Sequence, residues 1–116
     1  MDHAHEVIDE LREPTRSLRE AAPEAWRAFG ALHRAAVGEG VLPSLVKELM
    51  ALAIAVVKQC DGCIVYHADA AVRLGATAEE VAETLSVTLL MDGGSASVYA
   101  PRAWAAFLEL SARSVG

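Results

Sequence analysis

A chain of 116 residues and 12.3 kDa is long enough to bury one hydrophobic core and short for two. Hydrophobic residues make up 53% of it and aromatic residues only 5%, so alanine carries much of the apolar content; alanine is the strongest helix former, and this composition favours closely packed helices. A formal charge of −6 with a pI near 5.1 excludes a phosphate-reading surface, which needs clustered Lys and Arg, so no nucleic-acid partner is expected.

The first ten residues, MDHAHEVIDE, are acidic and lack the apolar stretch of a signal peptide, and two cysteines do not make a disulfide scaffold. The expected compartment is a reducing cytoplasm. Residues 1–13 are predicted to form a short charged helix carrying Val7, Ile8 and Leu11, ended by Pro14. His3 and His5 form a His-x-His pair able to bind a metal, although a frayed, solvated terminus is the simpler reading. Pro23 suits the first turn of a helix over 23–37, in which Trp26, Phe29, Leu32, His33 and Val37 recur as one apolar stripe. His33 reads there as a hydrogen-bonded packing residue. Trp26, Trp104 and Phe107 read as core or interface bulk.

Gly38-Glu39-Gly40 breaks that helix, and Leu42-Pro43-Ser44 opens another running to about Lys58. Its apolar run, Leu49 to Val57, is far short of the ~20 residues a bilayer requires, so no membrane span is expected. The run is nevertheless apolar on every side of a helix, which a solvent-facing surface helix cannot be. Burial between subunits, and hence an oligomer, is predicted. After Cys60-Asp61-Gly62-Cys63 a helix continues to about Leu74, closed by Gly75 at C′. Thr77-Ala78-Glu79-Glu80 reads as a capping box starting a helix with Val81, Leu85, Thr88 and Leu89 on its inner side. That helix stops at Asp92-Gly93-Gly94, and Ser95 starts a last helical segment to about Arg113, cut or kinked at Pro101. No alternating strand pattern, internal repeat or linker is present. The expectation is one all-α domain over 1–116 with about six helices.

The chemistry concentrates between Glu48 and His67. If 60–67 were helical, Cys60, Cys63 and His67 would lie within about 60° of one another on one face. Residues three apart on a helix are about 5–6 Å apart, which suits a disulfide. Asp61-Gly62 favour a helix start, where the backbone dipole stabilises a thiolate. His67, one turn beyond Cys63, can exchange a proton with it. Such a pair has three common explanations: a redox centre, half of a zinc site, or inert buried thiols. Glu48, Cys60, Cys63 and His67 are acceptable zinc ligands by type, but no second spaced Cys or His pair exists. The thioredoxin inference does not apply, because it expects a βαβ context. Spacing weights the redox reading above the other two.

These residues also carry a resemblance. Lys47-Glu48-Leu49, Cys60-Asp61-Gly62-Cys63-Ile64, His67, Gly75-Ala76, Glu79-Glu80, Met91-Asp92-Gly93-Gly94-Ser95-Ala96 and Val98-Tyr99-Ala100 together resemble the carboxymuconolactone decarboxylase family. More narrowly, the pattern Glu-x11-Cys-x2-Cys-x3-His resembles its AhpD-like alkylhydroperoxidase branch, over about 20–110. The family's decarboxylases lack the dithiol, so the pair points to the redox branch. The resemblance implies an all-α fold assembling as a homo-oligomer, a trimer or, preferably, a hexamer. It implies a dithiol, Cys60 and Cys63, that reduces a hydroperoxide or disulfide, with Glu48 and His67 as proton relay and no cofactor or metal. A thioredoxin-type, peroxiredoxin or lipoyl-bearing protein is the implied redox partner. His67 favours Cys63 as the nucleophile, with Cys60 resolving, although Cys60 should lie nearer the dipole. Gly62 stands where AhpD has a histidine, which removes one relay member; AhpD is also longer than this chain. Tyr66 is read mainly as core packing, and Tyr99 equally as core or as lining of the thiol pocket. Two further readings stay open: a non-catalytic helical assembly module binding zinc, and a decarboxylase-like enzyme acting on a small acid.

Overall fold

Six α-helices follow one another in the computed structural model, which describes the backbone of residues 2–115 and the side chains of 2–113, with no strand among them. They are α1 (His3–Ala21), α2 (Pro23–Val37), α3 (Ser44–Val57), α4 (Asp61–Arg73), α5 (Ala78–Asp92) and α6 (Ala96–Val115). The fold is all-α, as its composition suggested. Met1, included in the expected first helix, lies outside the described residues.

The core is built on α4, which packs most extensively against α6 and α3. Leu52 and Val56 of α3, Ile64, Val65 and Ala68 of α4, Val81 and Leu85 of α5, and Phe107 with a series of alanines on α6 form one buried cluster. On α6 the buried alanines are Ala96, Ala100, Ala103 and Ala106, at helical spacing. Side chains this small let helix axes approach closely, which is how an alanine-rich chain makes a dense interior with few large residues.

Local signals set most boundaries. Thr77 accepts a hydrogen bond from the Glu80 N–H at 3.0 Å, and Glu80 accepts one from the Thr77 N–H at 2.8 Å, completing the capping box. Gly75, at φ 86°, closes α4 with the bonds of a Schellman motif, Gly75 N–H to the Val72 carbonyl and Ala76 N–H to that of Ala71. Both internal prolines, however, depart from the sequence expectation. Pro14 does not end α1 and Pro101 does not divide α6; each lies inside a continuous helix. Both prolines are exposed, so the carbonyl each leaves unpaired one turn earlier can be met by water. Around Pro14, the ion pairs Arg12–Asp9, Arg16–Glu13 and Arg16–Glu20 each add a little on the same solvated face.

Two inner faces are also corrected. Leu89 is half exposed, and the inward side of α5 is Val81, Leu85 and Thr88. The stripe on α2 contributes no buried residue; Phe29 is 61% and Leu32 63% exposed. Helix α2 instead packs lightly on α1 and α3, and Trp26, Phe29 and His33 of its stripe line the cavity described below.

The amino-terminal histidines do not form a pair. His3 Nε2 meets Asp61 Oδ2 at 2.7 Å, while the His5 ring bonds Glu109 of α6. The Glu109 carboxylate also accepts from the Ala4 N–H at 3.0 Å and the His5 N–H at 2.9 Å, so a side chain from the far end of the sequence caps α1. Burial opposes ionisation of Glu109, but the hydrogen bonds from the His5 ring, His5 N–H and Ala4 N–H, with the charge of His5, outweigh it and hold the carboxyl below its ordinary value of 4.5. A carboxyl whose folded pKa is lowered stabilises the fold above its unfolded value, and the contribution disappears as pH falls through the folded one. Accordingly, Glu109→Gln is expected to lower the melting temperature at pH 7, with the gap to the parent protein closing as pH drops below about 4.5. A gap that stays constant down to pH 3 would refute this account of the cap.

Candidate redox site

The turn between α3 and α4 creates the site. Helix α3 ends in its own Schellman motif, with Gln59 N–H bonded to the Val56 carbonyl and Cys60 N–H to that of Ala55. Gln59 occupies the left-handed position at φ 57°, where glycine is usual and another residue costs about 1 kcal/mol. Its side-chain amide donates to Ser95 Oγ at 2.5 Å, tying the turn to the start of α6. The reversal is complete within Lys58, Gln59 and Cys60, so α4 returns antiparallel alongside α3.

Cys60 is the N-cap of α4, in extended conformation, and its Sγ accepts the Cys63 N–H at 3.3 Å. It is therefore not part of the helix, as a helical reading of 60–67 required; the sulfur takes the role a serine or aspartate oxygen usually plays. Cys60 and Cys63 are joined as a disulfide, with Cα atoms 5.2 Å apart. When reduced, a sulfur at this position faces the positive end of the α4 dipole, which favours its thiolate.

Glu48 is 2% exposed, and with Thr88 it is one of two buried polar residues among those described. Its Oε2 lies 2.8 Å from His67 Nδ1. The antiparallel return of α4 closes the sequence gap between these two residues. Between an ionised carboxylate, which only accepts, and an imidazole, the hydrogen sits on Nδ1; Nε2 then keeps its lone pair on the side away from Glu48. The buried carboxylate thus fixes both ring orientation and tautomer.

Cys60, Cys63 and His67 lie between two openings. One is a cavity of about 480 Å³ between α1, α2 and α4, walled by Leu11, Thr15, Trp26, Phe29, His33 and Tyr66. The other, about 220 Å³, is bordered by Ala51, Ile54, Ala55 and Lys58 of α3 and its turn. Tyr66 is thus 45% exposed and lines the larger cavity; its expected place in the core is corrected. Tyr99 packs against the core, with the Arg102 guanidinium 5.4 Å from its ring centre. His33 is exposed, shows no hydrogen bond among the described residues, and stacks on His67. Its aromatic neighbours at helical spacing were a visible signal, but sequence could not say which face of α2 met α4. Among the described residues, no group of three or more His, Cys, Asp and Glu is arranged to hold a metal ion. No helix among them is long and apolar enough to cross a membrane.

Known proteins share this architecture. The profile of the carboxymuconolactone decarboxylase family matches residues 23–107. An uncharacterized protein of Cupriavidus necator is 41% identical over 105 residues, 90% of this chain and 93% of that protein. A family protein from Legionella pneumophila, solved in its apo form, superposes with a TM-score of 0.93 at 39% identity, covering 96% of this chain and 99% of its own. A Thermotoga maritima family protein, considered for a part in antioxidative response, gives a TM-score of 0.80 at 30% identity over 95% of this chain and 93% of its own. A profile match across most of the sequence, joined to near-complete overlap with relatives of the same length, places this chain in the carboxymuconolactone decarboxylase family.

Proposed function

We propose that this protein is an AhpD-like thiol oxidoreductase that reduces a hydroperoxide or a disulfide with the Cys60–Cys63 dithiol, in an antioxidant role. The observation that supports it best is the conjunction of a closable cysteine pair with the Glu48–His67 hydrogen bond at the edge of an apolar cavity. In the reduced protein His67 Nε2 takes the proton of Cys63, one helical turn away; the thiolate attacks, and Cys60 resolves the product by forming the disulfide. An external dithiol, on a thioredoxin-type or lipoyl-bearing protein, returns the pair to its reduced state, and an oxidised peroxiredoxin is among the disulfides the pair can reduce. In a reducing cytoplasm such a disulfide is a catalytic intermediate and not a structural staple.

The zinc-binding reading is less well supported, because two of its four ligands are bonded to each other. A homo-oligomer fits the same reading: Met50, Ile54 and Val57 on α3, with Val87, Leu90 and Met91 on α5, are exposed apolar residues that a second subunit would cover. Trimers and hexamers are both compatible with that surface.

Single-cysteine variants test the assignment. With Cys60→Ser, a bound electrophilic disulfide should remain trapped on Cys63, whereas Cys63→Ser should accumulate no adduct. A stable adduct formed only when Cys63 is replaced would reverse the two roles. Peroxide or disulfide consumption that persists without either cysteine would defeat the redox reading itself.

A further inference from the structure

The large cavity holds an imidazole that this relay leaves unused. His33 projects from α2, with its ring centre 6.5 Å from that of His67 and the two planes only 16° apart. It shares the cavity wall with Cys60 and Cys63, and no Asp, Glu, Lys or Arg lines that wall. The other walls are Leu11, Thr15, Trp26, Phe29 and Tyr66, a mostly apolar surface sized for a substrate of several carbon atoms.

Reduction in such a place has a difficulty that the Glu48–His67 pair does not solve. Attack by Cys63 on an alkyl hydroperoxide expels an alkoxide, and attack on an alkyl disulfide expels a strongly basic thiolate. A mostly apolar wall offers a departing anion few polar groups in place of its solvent. At that moment His67 is holding the proton it has just taken from Cys63. A second proton donor has to reach the leaving group from the cavity side, and the Gly62 position supplies no side chain for this.

Resting on the redox reading, we propose that His33 is the catalytic acid that protonates the leaving group in the α1–α2 cavity, dividing acid and base work between two stacked imidazoles. For a hydroperoxide ROOH, the Cys63 thiolate bonds to the terminal oxygen as the O–O bond breaks. The sulfur becomes a sulfenic acid, and RO⁻ takes the proton of the His33 imidazolium to leave as ROH. Cys60 then attacks the sulfenic sulfur; the S–S bond forms as hydroxide departs and takes from His67 the proton that began on Cys63, giving water. The proton of Cys60 restores His33. Two thiols supply two electrons, and one hydroperoxide becomes one alcohol and one water. The cavity wall selects alkyl or aryl hydroperoxides over hydrogen peroxide, whose leaving group would have nothing to pack against.

The test uses leaving groups of different basicity with pre-reduced, full-length protein. Single-turnover rates are compared for tert-butyl hydroperoxide, which expels an alkoxide, and for 5,5′-dithiobis(2-nitrobenzoate), whose thiolate is stable without a proton. With His33→Gln the hydroperoxide rate should fall about 10²-fold, and the ratio of the two rates should shift by at least about tenfold against the hydroperoxide. With His33→Ala, added free imidazole should recover part of the hydroperoxide rate. Equal losses on both probes would reveal a purely structural role and overturn the proposal, as would an unaltered ratio with no recovery by imidazole. A parent protein that reduces neither probe defeats the redox reading, and this proposal falls with it.

Discussion

Substituting glutamine for His67 is expected to slow single-turnover reduction by the dithiol by about 10²–10⁴-fold, the range over which a positioned proton acceptor accelerates a reaction. Glutamine keeps much of the ring's length and can still donate to the Glu48 carboxylate, so that buried acceptor need not be left bare. What it cannot do is accept the Cys63 proton. The companion change, Glu48→Gln, keeps an acceptor oxygen opposite Nδ1 and leaves the imidazole in place, so a smaller loss is expected. His67→Ala is a poorer probe because it strands a carboxylate that is 2% exposed, and removing one member of a buried pair costs about 3–5 kcal/mol of stability. Stopped-flow rates on pre-reduced protein, read beside thermal melts, separate the two effects. A His67→Gln rate within about threefold of the parent would remove His67 from the chemistry.

Leu52→Ala should produce the largest loss of stability among single core truncations on α3. Leu52 is fully buried at 0% exposure, one turn beyond Glu48, and belongs to the cluster joining α3 to α4, α5 and α6. Truncation removes its transfer free energy and leaves a cavity that rigid neighbours only partly fill, for a cost of about 2–5 kcal/mol. Domains of this size have about 5–15 kcal/mol in total, so the melting temperature should drop by roughly 10–30 °C. Val41→Ala, at a fully exposed position, should change stability by no more than about 0.5 kcal/mol. A Leu52→Ala protein that melts within a few degrees of the parent would show that Leu52 does not anchor the buried cluster. Because Leu52 neighbours Glu48, the same variant should also slow reduction, by loosening the helix that holds the carboxylate against His67.

Much of the architecture was legible in local sequence, and the reason is local physics. Pro23, Pro43, the Thr77 to Glu80 box, Gly75 and Gly93 act on the backbone within one turn, so helix boundaries followed from neighbouring residues. The spacing of Cys63 and His67 likewise placed them one turn apart on one helix, with Cys60 at its start. The proline readings failed because a proline disfavours a helix interior without forbidding it, and Pro14 and Pro101 both sit at exposed positions of long helices, where a lost hydrogen bond costs least.

What tertiary structure alone decided is how distant groups meet. Resemblance had already paired Glu48 with His67, but their 2.8 Å contact rests on the left-handed turn at Gln59, a conformation no pattern at a non-glycine residue announces. His33 could be assigned to a stripe but not to a cavity, because the face α2 turns toward α4 depends on how α1 and α2 dock. Glu109, at the opposite end of the chain, caps α1 only because α6 brings it there. Helix periodicity is a property of consecutive residues and can be read one turn at a time. The meeting of side chains from separate helices depends on turn geometry and on packing summed over the whole core, and so it exists only in the folded molecule.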